Sequence, residues 1–316
     1  MAKTKEISRR IKSVSSTKKI TKAMEMVSAA KMRKAIEAVL KTRTYANLSW
    51  ETVLHLAKLA ANRSEELHPL LSVRPRIEKV AIILITSNRG MCGGYNTAVV
   101  TKAKQSIQKH KIATDFIVVG KKGTAVHQAG YNISAEFEKS DILTDAKDIY
   151  PLVKMALQDY KDGKYDKIFV AYTDFVNPAK QIPRVKQLLP VEVDESDEFL
   201  GIVGLDSKVG VTPEMMAVKE AEHLGSDNYV YEYTFEPSPR EVLDLMIPRL
   251  LEIQLYQAFL EANASEHSAR MTSMHQATEA ANDMVSELTL FYNKARQAGI
   301  TAEIAEISAG ANALAE

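Results

Sequence analysis

From residue 5 to about residue 62 the chain carries no Pro and no Gly and is rich in Ala, Lys, Glu, Met and Leu, so it reads as one very long helix. Its apolar positions run Ile7, Ile11, Val14, then Ile20, Met24, Val27, then Met32, Ala35, Val39, and continue through Thr42, Ala46, Ser49, Val53, Leu56 and Ala60. The steps are 3 and 4 inside each block, with a small phase shift between blocks. Pro69 and Pro75 close the region with a turn-forming stretch. The period then changes. Lys79–Thr86, Asp115–Gly120 and Lys167–Tyr172 are short β-branched runs, with helical patterns between them at about 95–111 and 146–161. Strands alternating with helices predict a βαβ unit and a mainly parallel sheet. Gln181–Val193, with Pro178 just before it and Pro183 and Pro190 inside it, reads as an edge or hairpin strand.

The last quarter of the chain is the most regular. Ser238, Pro239 and Glu241 supply an N-cap, a proline at the first helical position and the capping-box acid. Alternating steps of 3 and 4 from Leu243 visit Met246, Leu250, Ile253, Gln257, Leu260, Ala264, His267, Met271, Met274, Thr278, Ala281, Val285, Leu288, Tyr292 and Ala295 in unbroken phase. At roughly 1.5 Å per residue this predicts a coiled-coil helix about 100 Å long. Pro248 removes one backbone donor inside it and predicts a kink or a locally widened turn near Asp244 rather than two separate helices. Two such helices at opposite ends of one chain can pair antiparallel. The expected organisation is a helix over 1–62, an α/β domain over 76–236 and a second helix over 238–316. An acidic, glycine-bearing insertion fills 194–236.

Composition narrows the class. The 316 residues are 46% hydrophobic with a formal net charge of +1. The single cysteine, Cys92, excludes an internal disulfide framework and any multi-cysteine metal site. The longest apolar run, Val80–Ile85, is far short of the roughly 20 residues that cross a bilayer. The first 30 residues lack the apolar centre of a secretory signal, although their Lys/Arg/Ser bias also fits an organellar transit peptide. The neutral total hides a strong asymmetry. Met1–Arg43 holds 13 Lys/Arg against 3 acids, and Asp194–Asp244 holds 13 acids against 3 bases. A basic segment of this kind favours acidic protein, nucleic acid or an anionic surface.

Chemistry-bearing motifs are sparse. The loop Ser87–Asn96, with Gly90, Gly93 and Gly94, follows a strand and opens a helix, which is where phosphates bind in doubly wound folds. It matches neither G-x-G-x-x-G nor the phosphate-loop pattern, and a tight turn needing glycine torsions accounts for it. Lys121, Lys122 and Gly123 repeat the hint more weakly after the next strand. The seven histidines show no metal-ligand spacing, and no nucleophilic triad stands out. Met24 and Met26 sit among Lys18, Lys19, Lys22, Lys31, Arg33 and Lys34. That face fits a solvated helix, a seam or a nucleic-acid contact, but no aromatic residues interleave and the bases occur on all sides. The tail from Ile300 carries Ile304, Ile307 and small residues with few charges, which suggests insertion into a partner's cavity.

Two segments resemble one family: Arg10–Val14 with Thr17–Val27, and Arg270–Met271 through Leu288–Ala298. They look like the gamma subunit of F-type ATP synthases, and Arg89–Asn96, Ile300–Glu303 and Glu306–Ile307 extend the match. The resemblance implies an α/β fold in which a long antiparallel coiled coil of the N- and C-terminal helices carries a central Rossmann-like domain. It implies a non-catalytic rotor shaft, without cofactor, inside three alpha and three beta subunits, with an epsilon subunit and a membrane c-subunit ring as further partners. Carried over by position, Lys18, Lys19, Lys22, Met24, Arg33, Lys34, Arg270, Arg296, Gln297, Thr301 and Glu303 would face the catalytic ring, and Tyr233 and Glu236 the membrane ring and epsilon subunit. The family's chloroplast members carry a redox cysteine pair that a chain with only Cys92 lacks. The implied location is the cytoplasmic face of a bacterial membrane, held peripherally. Two other readings make different demands: a basic coiled-coil nucleic-acid binder using residues 1–43, and a nucleotide-dependent enzyme built on the central sheet.

Overall fold

In the computed structural model the described residues are 2–62, 68–72, 74–108, 112–141, 146–191, 236 and 238–315. Helix α1 spans Ala2–Asn62 and the last helix, α5, spans Pro239–Ala315. With no Pro or Gly in α1, nothing interrupts its backbone ladder. Helix α5 starts as the sequence indicates. The Glu241 N–H donates to Ser238 Oγ at 3.3 Å, and the Ser238 hydroxyl donates to the Glu241 carboxylate at 3.2 Å. The helix runs through Pro248 as one element. Residues 194–235 of the expected insertion 194–236, and the last residues of the expected strand 181–193, lie outside the described residues.

The chain forms two compact units, Met1–Ala29 with Arg270–Glu316, and Ala30–Ala269. The second is built on a five-stranded sheet of order β3-β2-β1-β4-β5, from β1 (Lys79–Ile85), β2 (Ala113–Val119), β3 (Asn132–Phe137), β4 (Lys167–Asn177) and β5 (Lys180–Leu189). Strands β3, β2, β1 and β4 are parallel, and β5 returns antiparallel as an edge hairpin. That edge position leaves room for Pro183 in a strand. Strand β3 is not announced by the hydrophobic pattern. At the opposite edge its residues alternate exposed and half-buried, with Asn132, Ser134 and Glu136 on the outer side, so it carries no apolar run.

Residue parity sends side chains to two faces. Val80, Ile82, Leu84, Phe116 and Val118 pack with α2 (Tyr95–Gln108) and α3 (Ala125–Gln128). Ala81, Ile83, Ile85, Ile117, Ile168, Val170 and Tyr172 pack with α4 (Tyr150–Lys161), with the α5 segment from Leu243 to Ala262, and with Val39 of α1. The sheet is therefore covered on both sides, as a parallel sheet requires. The ends of β1 and β2 are tied together. The Thr86 hydroxyl donates to the carbonyls of Val119 and Gly120 at 3.0 and 2.9 Å, and Gly120 takes φ +90°.

Two carboxyl groups in this unit behave oppositely. Burial works against charge on Asp166, but the N–H groups of Lys79 and Glu78 and the Arg74 guanidinium outweigh it and hold the carboxyl below its ordinary value. Burial pushes Asp174 up, and the charges of Arg184, whose Nε lies 2.9 Å away, and Lys186 only partly offset it. Asp174 lies against a second buried acid, Glu261 of α5, and the fully buried Tyr172 phenol beside them is pushed well up by the same burial.

Two outcomes follow from these contacts. A Cβ on Gly120 would fall 2.4 Å from the Thr86 carbonyl oxygen in a backbone conformation that L-residues disfavour. Gly120→Ala should therefore lose about 2 kcal/mol or more in urea unfolding of the purified chain. For Asp174 the native state binds a proton more tightly than the unfolded chain. Its stabilising share is complete below the unfolded carboxylate pKa and is lost as pH rises through the raised native value. Asp174→Asn removes this titration, so the drop in urea midpoint from pH 5 to pH 8 should be smaller in the variant than in the parent. Equal drops would remove Asp174 from the pH dependence.

Candidate functional site

In the unit formed by 1–29 and 270–316 the two helices run antiparallel in a fixed register. The Thr278 hydroxyl donates to Thr21 Oγ1 at 2.8 Å, Lys18 Nζ donates to Asn282 Oδ1 at 2.7 Å, and His275 lies 3.3 Å from Glu25. The hydrogen bond from Lys22 at 2.9 Å holds the Glu25 carboxyl below its ordinary value, against a small opposing effect of burial. On α5 the expected positions line the seam: Met274 and Ala281 are buried, and Met271, Thr278, Val285, Leu288, Tyr292 and Ala295 are half-buried.

The seam of α1 differs from the apolar reading. Ile20 and Val27 are 59% and 57% exposed, whereas Thr21 and Ser28 are buried. The protected positions are Ile7, Ile11, Val14, Lys18, Thr21, Glu25 and Ser28 here, and Met32, Ala35, Val39 and Thr42 in the other unit. These alternate by 4 and 3 without a break, so the phase shifts expected from the sequence do not exist. Small hydroxyl side chains allow close helix approach, and their hydrogen bonds occupy seam sites that a search for apolar residues skips.

The consequence is an outer surface with apolar groups on it. Ile20, Met26 and Val27 stand exposed on α1 among Arg9, Arg10, Lys12, Lys19 and Lys22. On α5, Met284, Leu290, Phe291, Ile300, Ile304 and Ile307 are exposed, the last by 72%. The register exhausts α1 just before Ile300, and residues 300–309 are exposed throughout. Large apolar side chains exposed in such numbers mark a surface that a partner covers.

Of the residues expected to meet partners, Lys19, Lys22, Arg33, Lys34, Arg296, Gln297, Thr301 and Glu303 are exposed, and Lys18 and Met24 are half-buried. Arg270 is buried, at 8% exposure, so its side chain does not lie on the outer surface of the chain. Glu236 is exposed, and Tyr233 lies outside the described residues.

The glycine loop in the other unit closes on itself. The Ser87 N–H donates to Asn96 Oδ1 at 3.0 Å, the Ser87 hydroxyl to the Arg89 carbonyl at 2.7 Å, and Asn96 Nδ2 approaches Cys92 Sγ at 3.2 Å. Met91 and Gly93 adopt positive φ, which the tight turn requires. Cys92 is 2% exposed inside this knot. Lys121 pairs with Glu138 at 3.6 Å. A cavity of about 370 Å³ beside α2 is lined chiefly by Ile77, Val80, Ile82, Ile107, Ile112, Phe169 and Val185. Ser106, Thr114 and Lys167 complete its lining. Sequence reasoning did not find the buried charges Asp174, Glu261, Lys139 and Glu266, because a single acid or lysine beside a seam looks like an exposed flank until its partner element is placed.

Comparison with known proteins agrees with this arrangement. The family model described as ATP synthase matches residues 3–314. The ATP synthase gamma chain of Legionella pneumophila (strain Corby) is 38% identical over 318 residues, spanning 99% of this chain and 100% of that protein. The gamma chain of Pelotomaculum thermopropionicum is 41% identical over 319 residues, with 99% and 100% covered. Among solved structures, the central stalk and c-ring of the Tetrahymena thermophila mitochondrial ATP synthase aligns with a TM-score of 0.56 at 21% identity, over 82% of this chain and 99% of that one. A chain of the Euglena gracilis mitochondrial ATP synthase in rotational state 3 aligns with a TM-score of 0.60 at 17% identity, over 99% and 95%. These two speak for the fold, a mainly parallel α/β sheet with long terminal helices packed against each other. With a family model matched over nearly the whole chain and full-length relatives 38% and 41% identical, the chain belongs to the gamma-chain family of ATP synthases.

Proposed function

We propose that this chain is the rotating central-stalk subunit of an F-type ATP synthase, a non-catalytic part of the multisubunit enzyme. The observation that carries the reading is the antiparallel helix pair whose outer face and free end expose apolar and basic side chains, in a chain of the gamma-chain family. Three alpha and three beta subunits would surround the pair, with an epsilon subunit and the c-subunit ring at the α/β unit. One asymmetric shaft inside three chemically identical catalytic subunits contacts each of them differently. It therefore biases their open and closed states by differential binding, and turning it converts torque into changes of nucleotide affinity. Ion flow through the membrane ring supplies the rotation for synthesis, and hydrolysis drives it in reverse.

In this reading Lys18, Lys19, Lys22, Arg33 and Lys34 meet acidic regions of the beta subunits together with Met24, and Arg296, Gln297, Thr301 and Glu303 meet the surrounding ring near the shaft's end. Arg270, being buried, tunes rotor coupling without facing the ring. Glu236 and Tyr233 fall on the side of the membrane ring and epsilon subunit. Among the described residues no helix is long and apolar enough to cross a membrane, which fits attachment through the complex at the cytoplasmic face of a bacterial membrane. The coiled-coil nucleic-acid binder is not favoured, since residues 1–43 hold no aromatic side chain on which bases could stack.

The deciding experiment is reconstitution of alpha and beta subunits with and without the chain. One copy joining six subunits and conferring sustained ATP hydrolysis is the expected result, and a chain that stays out of the complex refutes the reading. Met24→Lys places a charge at a half-buried position facing the ring. The long side chain can carry its ammonium outward, so the free chain should fold normally. In the complex that charge is desolvated, and ions pumped per ATP hydrolysed should fall by roughly half or more while hydrolysis stays near the parent rate. Unchanged pumping would remove Met24 from the contact surface.

A further inference from the structure

The rotor reading leaves one buried charge pair and the glycine loop without a role. Lys139, just after β3, places Nζ 2.6 Å from Glu266 Oε2 on α5, with side chains only 1% and 3% exposed. Removing two such ions from water costs several kcal/mol each, and a well-packed apolar pair at the same place is commonly as stable or more so. Stability alone therefore does not explain the pair. Its distinctive property is directional, since an ion pair and its hydrogen bonds resist sliding and twisting, whereas apolar contact is non-directional.

The surroundings share that property. Asn88 Nδ2 in the glycine loop donates to the Lys139 carbonyl at 2.6 Å, and the Lys139 ammonium stands 5.6 Å from the Tyr95 ring centre. Asn263 Nδ2 of α5 donates to the Ser140 carbonyl at 3.3 Å, and His267 Nε2 lies 3.4 Å from the Asp141 carbonyl. The Asp141 carboxylate takes Lys31 Nζ of α1 at 2.7 Å. Three consecutive residues thus hold the sheet's first strand-to-helix loop, α1 and α5 together through polar contacts.

We propose that residues 139–141, locked by Lys139 and Glu266, are the torsion-bearing clamp that fastens the α/β sheet to the two shaft helices, and that the glycine loop serves to present Asn88 and Tyr95 to it. This rests on the rotor reading. Torque entering at the sheet must pass to α1 and α5, and a polar clamp transmits it with little angular slip. Lys139 and Glu266 are positioning residues here and touch no reacting group.

The test uses the assembled complex, immobilised through its catalytic ring and stalled, with a probe on Lys122→Cys; buried Cys92 leaves that site as the accessible thiol of this chain among the described residues. The double variant Lys139→Met, Glu266→Met replaces the pair with apolar groups and leaves no unpaired charge. It should assemble, hydrolyse ATP at the parent rate and melt no lower than the parent. Its angular fluctuations should be broader by at least about 1.5-fold in variance, because packing survives and the contacts of Asn88, Asn263 and Lys31 remain, while the buried charge pair that locks them is gone. Parent-like fluctuations would overturn the clamp and leave the pair a purely structural feature. Should the double variant fail to assemble, Asp141→Asn, whose side chain is 40% exposed, tests the same clamp from its α1 end. Broadening supports the clamp and none overturns it. A parent complex that neither assembles nor rotates would instead sink the rotor reading and the clamp with it.

Discussion

Residues 257–268 of α5 are buried without exception, polar and apolar alike. A helix turns through a full circle every 3.6 residues, so burial over three turns demands neighbours on every side. Val39 and Thr42 of α1 close one side, the latter by donating to Gln257 Oε1 at 2.7 Å. The β4–β5 hairpin closes another, with Ser265 donating to the Thr173 carbonyl at 3.0 Å and Ser268 to the Pro178 carbonyl at 2.9 Å. Residues 139–141 close a third. The antiparallel hairpin appended to a parallel sheet, the strap after β3 and the run of polar residues on α5 all serve the same requirement, that buried polar groups find hydrogen-bond partners, although Asn263 Oδ1 and Thr173 Oγ1 have none.

The unit containing 1–29 and 270–316 follows the opposite rule. Its seam is mostly half-buried, with Thr21, Ser28, Met274 and Ala281 its buried positions, and many of its large apolar groups, Ile20, Val27, Met284 and Leu290 among them, point away from the seam. A helix pair optimised for its own stability would place Ile20 and Val27 inside. Leaving them exposed lowers the intrinsic stability of the pair and suits a surface that finds its cover in other subunits. This unit is shaped for contact and the sheet-bearing unit for stiffness, which is the division of labour a shaft requires.

The hydrogen bonding of the glycine loop also acquires a physical meaning. The glycine loop occupies the position at which doubly wound folds bind phosphate, yet the Ser87 N–H and hydroxyl, the Asn96 amide and the Arg89 carbonyl are hydrogen-bonded within the loop, and Asn88 reaches the strap. The same local geometry that elsewhere cradles an anion here presents side chains to a neighbouring segment. Fold likeness by itself would have pointed to a nucleotide site; the hydrogen bonds point to a structural one.

The sequence by itself determined the elements whose signals are local or periodic. Both long helices, the Ser238 cap, the whole α5 seam from Leu243 to Ala295 and the central parallel strands follow from the absence of helix breakers, from 3/4 spacing and from β-branched runs. The terminal motifs carried the family. What only the tertiary structure decided depends on a partner far along the chain. The α1 seam passes through Lys18, Thr21, Glu25 and Ser28 because their counterparts are Asn282, Thr278 and His275 or other close-packed positions on α5, and no apolar count can register that. Strand β3, an edge with alternating half-burial, needs β2 beside it to be a strand at all. Lys139 and Glu266 are 127 residues apart, and each alone resembles an ordinary surface charge. Burial of a polar group is a property of the pair and its enclosure, which a linear pattern does not contain.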